Sequence, residues 1–121
     1  VATIIPRWEW RVFGDGFGAA EAALAAQTPR TVEESDELYL LSAAAANVKV
    51  RADLLDIKLL REVNADGLER WEPVMKQGFP LPAAAVSTVF DALGVAPPPR
   101  TRAADTLEQL LAELVASGGG V

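Results

Sequence analysis

The chain of 121 residues contains no cysteine and no histidine, and only one methionine and one tyrosine. Without cysteine there are no disulfides, thiolate metal sites or thiol nucleophiles. Without histidine the commonest metal ligand and the commonest general base are missing. Any chemistry is left to carboxylates, lysine and tyrosine, or to a hard cation such as magnesium held by carboxylates. No run of about eighteen apolar residues occurs, so no membrane-spanning helix is expected. The N-terminal residues lack the basic segment, apolar stretch and cleavage site of a secretory signal. The cysteine-free composition accords with a cytoplasmic location. A formal net charge of −6 repels nucleic acid and anionic membranes at long range, so neither is expected as a partner.

What is present is a packed domain. Half of the residues are hydrophobic, enough for a core at this length. The charges are unevenly placed. Arg7, Arg11, Lys49, Arg51, Lys58, Arg61, Arg70 and Lys76 fall in strand-like runs, whereas most acidic residues fall in turns and helical stretches. Arg7-Trp8-Glu9-Trp10-Arg11 alternates charged and aromatic residues, and Val48 to Arg51 and Leu55 to Leu59 alternate in the same way. Successive side chains of a strand point to opposite faces. These segments therefore predict a sheet with one apolar and one charged face, with Trp8, Trp10, Val12, Val48, Val50, Leu55, Ile57 and Leu59 packing against helices.

Residues 4–13, 36–42, 47–52, 55–63 and 68–77 read as strands, with a hairpin turn at Ala52-Asp53-Leu54 and a second turn at Asn64 to Gly67. Pro73 predicts an edge strand or a bulge in the fifth strand. Residues 18–27 read as a first helix, rich in alanine. Residues 83–93 and 103–116 carry apolar residues at helical spacing, the latter as Leu107, Leu110, Leu111 and Leu114. Gly94 is the expected cap of the former. The order β-α-β-β-β-β-α-α predicts an α+β fold with a mainly antiparallel sheet. It is read as a single domain over 1–121, mostly strands over 1–81 and a helical hairpin over 82–117.

Asp36-x-x-Tyr39, Lys49-x-Arg51, Asp56-x-Lys58 and Arg70-x-Glu72, following Arg7-x-Glu9-x-Arg11, resemble the N-terminal half of the CYTH superfamily, the triphosphate tunnel metalloenzymes. The resemblance spans about residues 5–78. It implies half of an antiparallel barrel whose inner face binds a triphosphate or another phosphorylated small molecule. Residues at the phosphate-binding positions would be Arg11, Lys49, Arg51, Lys58 and Arg70. Glu9 and Glu72 would hold magnesium for phosphohydrolase chemistry. The family's first strand carries Glu-x-Glu-x-Lys; here Arg7 replaces the first glutamate, which weakens the metal site. The family barrel also needs further strands, so a homodimer or a missing C-terminal half is expected to complete it. The alternative is a non-enzymatic interaction domain. Its charged face would be ion-paired internally, as Glu9 between Arg7 and Arg11 already suggests, and its open edge or helices would bind another subunit.

Overall fold

The computed structural model describes residues 7–117. Five strands form one antiparallel sheet: β1 (Arg7–Glu9), β2 (Glu37–Leu40), β3 (Ala46–Arg51), β4 (Leu54–Val63) and β5 (Glu69–Gly78). Their spatial order is β1-β5-β4-β3-β2, so β1 and β2 are the two edges of an open sheet, not members of a closed barrel. Helix α1 (Ala19–Ala25) joins β1 to β2, while α2 (Ala83–Leu93) and α3 (Leu107–Ala116) follow the sheet. The predicted element order is thus present, with one addition. Short strands β6 (Leu81–Pro82) and β7 (Ala104–Asp105) pair into a ribbon that brackets α2.

The two hairpins that build the centre of the sheet follow from local chemistry. Ala52 and Asp53 both have positive φ, 50° and 60°, the backbone that a two-residue turn of the twist-matched type requires. At the second turn, Asn64 Oδ1 accepts hydrogen bonds from the backbone N–H groups of Asp66 (3.0 Å) and Leu68 (2.9 Å), and Gly67 supplies a φ of 79°. Pro73 lies in an interior strand, and the ladder accommodates it with a register shift between Ile57 and Lys58. A second shift lies between Leu60 and Glu62.

The core occupies one face of the sheet. Leu40, Val48, Val50, Leu55 and Ile57 are buried from the strands, and Val86, Val89, Phe90, Leu93, Leu110 and Leu114 from the helices. The alternation of β3 and β4 and the helical spacing of α2 and α3 predicted this set apart from Leu40. Burying one such side chain stabilises by about 1.5–3 kcal/mol. Gly94 ends α2 in the left-handed region at φ 69°, with Val95 N–H donating to Phe90 O, a C-terminal motif open to glycine at little steric cost.

Three expectations are corrected. The strand expected over 4–13 is β1 over Arg7–Glu9, and its first residues, 4–6, lie outside the described region. Trp8, Trp10 and Val12 do not pack against helices: they are 46%, 67% and 48% exposed. Beyond Glu9 the chain leaves the ladder, so alternation no longer assigns a face. The last helix begins at Leu107 rather than 103, because Ala104 and Asp105 pair with β6 instead. The region expected as a plain helical hairpin is therefore two helices tied by a ribbon.

Candidate functional site

Directly opposed residues of neighbouring strands share a face. The register places Tyr39, Lys49, Asp56 and Lys76 on one row across β2 to β5, and Glu37 with Arg51 on the next. Lys58 follows Asp56 by two residues along β4, so it projects to the same side. This is the face opposite Val48, Ile57 and the helices. It carries four cations and two carboxylates over β2–β4 and the adjoining part of β5, inside a chain of net charge −6.

Glu37 is the focus of this face. Its carboxylate accepts a hydrogen bond from the Tyr39 hydroxyl at 2.6 Å and from Arg51 Nη1 at 3.3 Å, and Lys49 Nζ lies 3.6 Å away. The Tyr39 hydrogen bond, with Lys49 and Arg51 behind it, holds the Glu37 carboxyl below its ordinary value. The same hydrogen bond to Glu37 raises the Tyr39 phenol. Arg11 acts on Tyr39 as well: its positive charge works to lower that phenol. Arg11 follows β1 at one edge of the sheet, and Tyr39 lies in β2 at the other.

Of the expected phosphate-binding residues, the fold thus gathers Lys49, Arg51 and Lys58 on one face, while Arg11 follows β1 and pairs with Glu9. The fold does not bring Arg70 there. The two register shifts alter the alternation of β4 and β5, so Arg70 stands opposite Glu62, and its Nε donates to that carboxylate at 3.3 Å. Trp71 lies on the polar side of β5 in register with Arg7 and Leu60, and its Nε1 donates to Glu69. Glu9 and Glu72 do not form a shared ligand pair. Glu9 is in register with Glu69, three residues from Glu72 along β5, and an odd separation puts the two on opposite faces. Each is engaged by an arginine, Glu9 by Arg11 at 2.8 Å and Glu72 by Arg61 at 3.0 Å. Among the described residues no three acidic side chains gather as a metal site would need. A magnesium ion held jointly by Glu9 and Glu72 does not fit this donor set.

The sequence reading missed a second polar cluster. Arg100, Arg102, Asp105 and Glu113 meet where β7 leads into α3. Glu113 accepts from Arg100 Nη2 at 2.5 Å and from Arg102 Nη2 at 2.9 Å. Asp105 is fully buried and faces both guanidiniums at 3.5 and 3.3 Å, without good hydrogen-bond geometry. Burial raises the Asp105 carboxyl, and the neighbouring Glu113 raises it further. Burial also works to raise Glu113, but hydrogen bonds from Arg100 and Asp105 and the charge of both arginines outweigh it, so Glu113 is lowered. The two carboxyls are thus shifted in opposite directions, Asp105 up and Glu113 down. One signal was legible: Glu113 stands between Leu110 and Leu114 on the apolar face of its helix, where a carboxylate needs a partner.

On the helix side a cleft of about 310 Å³ opens beside α2, lined by Ala44 to Ala46, Leu59, Val74 and Ala92, with Asp91 among its walls. The small side chains of the alanine run leave this gap. It is apolar and lies away from the basic face. No known protein family, curated protein or solved structure matches the chain.

Proposed function

We propose that the polar sheet face binds a polyphosphate-bearing small molecule, as a half-barrel of the CYTH type would. The observation that supports this reading most is the shared face of Lys49, Arg51, Lys58 and Lys76, with the Tyr39 hydroxyl among them. Arginine engages phosphate oxygens in a fork and lysine as a point charge. Lys58 and Lys76 close no ion pair among the described residues, so their charge is available to a ligand. The proposal is for binding. No hydrolytic step is assigned, because the carboxylates expected to hold a metal are separated and arginine-bound.

The test is thermal unfolding with tripolyphosphate, with and without magnesium. A ligand at one hundred times its dissociation constant adds about 2.7 kcal/mol. Lys58→Ala should reduce the shift, while Arg70→Ala should leave it unchanged. Absence of any shift in the folded wild-type chain would rule the reading out.

A second reading is an interaction domain whose partner covers the N-terminal segment. It is favoured by the exposure of Trp10, Phe13, Leu24 and Val32, each 67% or more. Large apolar side chains left exposed in one stretch of chain fit an association surface. Sedimentation analysis that finds only monomer up to high concentration would remove self-association from this reading.

A further inference from the structure

Resting on the proposed anion site, we infer that Glu37 is a resident counter-anion whose carboxylate occupies the place that a ligand's anionic oxygens take. The geometry of its surroundings carries this. Three donors from two strands, the Tyr39 hydroxyl, Arg51 Nη1 and Lys49 Nζ, converge on one carboxylate at 2.6, 3.3 and 3.6 Å. A phosphoryl group presents the same kind of oxygens to the same kind of donors. The Glu37 and Lys49 side chains are only 21% and 20% exposed, whereas Tyr39 and Arg51 are 45% and 46% exposed, so an anion reaches these donors from solvent. An incoming anion must displace a carboxylate that is tethered beside it, at an effective concentration of about millimolar.

The exchange sets specificity. A single phosphate would trade one anion for another at Glu37 and gain little. Lys49 and Lys76 lie on one row, two strand spacings apart, roughly 10 Å at the backbone. A chain of phosphates can replace Glu37 at one end and reach Lys58 or Lys76 at the other. The site therefore selects polyphosphate anions over orthophosphate and carboxylates. The Tyr39 hydroxyl, released from Glu37, passes its hydrogen bond to the ligand.

Calorimetric titration of wild type, Glu37→Gln and Tyr39→Phe with orthophosphate, tripolyphosphate and adenosine triphosphate tests this, with circular dichroism to verify folding. Wild type is expected to bind tripolyphosphate and not orthophosphate. Glu37→Gln should bind tripolyphosphate about tenfold more tightly, the scale of one charge-assisted hydrogen bond, and should gain measurable orthophosphate binding. Tyr39→Phe should bind tripolyphosphate more weakly. The adenosine triphosphate arm distinguishes a nucleotide from an inorganic polyphosphate as the source of the anion. If wild type binds tripolyphosphate and Glu37→Gln binds it equally or more weakly, the counter-anion role falls while the binding site stands. If Tyr39→Phe binds as wild type does, the hydroxyl transfer falls. If neither wild type nor Glu37→Gln binds any of the three, the site and the inference fall together.

Discussion

The two carboxylates of the buried cluster should respond unequally to neutralisation. Glu113→Gln removes the charge that receives hydrogen bonds from Arg100 and Arg102. Each charge-assisted bond contributes about 1.5–3 kcal/mol, and breaking a buried pair by removing one partner costs about 3–5 kcal/mol. The glutamine oxygen still accepts one bond, and Arg102, at 35% exposed, can be rehydrated. The expected loss is therefore about 3 kcal/mol at pH 7, read by urea unfolding. Asp105→Asn should cost less than Glu113→Gln at pH 7, because burial raises the Asp105 carboxyl and it makes no well-formed hydrogen bond. Its raised pKa fixes the sign. The folded state holds the Asp105 proton more tightly than the unfolded state, so this contribution is full below the unfolded value of 3.8. It is lost as pH rises through the raised folded value. Wild type should thus gain on Asp105→Asn as pH falls from 7 toward 4. The upward shift of Asp105 is wrong if Asp105→Asn costs as much as Glu113→Gln at pH 7 and that cost shrinks on acidification.

Two further predictions concern backbone conformation. Ala52 holds φ at 50° in the β3–β4 turn, where a Cβ is strained and asparagine is better tolerated. Ala52→Asn should raise stability by about 0.5 kcal/mol, measured as an upward shift of the urea midpoint. Gly94 at φ 69° has only the Ala44 Cβ, 4.0 Å from a built Cβ, nearby, so Gly94→Ala should lose about 1–2 kcal/mol from backbone strain alone; a neutral result in the same assay would contradict the left-handed cap.

Much of the fold was legible locally. Val48, Val50, Leu55 and Ile57 alternate without interruption, and a period of two assigns their face directly. The spacing of Val86, Val89, Phe90 and Leu93 did the same for α2. What escaped was whatever depends on counting through an irregularity. The shifts at Ile57/Lys58 and Leu60/Glu62 change the side to which later residues project. Lys49 and Lys58 therefore sit where alternation put them, whereas Arg70 does not. Pro73 announced one of these shifts, but nothing in residues 60–62 announced the other. The Glu37 contacts were hidden because its partners Lys49 and Arg51 come from the neighbouring strand. The buried cluster was hidden for a similar reason: Arg100 and Arg102 reach Glu113 only because β7 pairs with β6.

From Arg7 through Tyr39 no side chain is buried, and Leu40 is the first to enter the core. The cooperative unit is therefore the β3–β4–β5 meander with Leu40 of β2 and the helices α2 and α3 packed on it. Amides of α1 can exchange through local opening that costs little, whereas those at the centre of β4 exchange only when the whole unit opens. The stretch from Arg7 to the end of α1, which owns none of the core, can therefore open while the β2–β3 edge that carries Glu37, Tyr39, Lys49 and Arg51 stays folded.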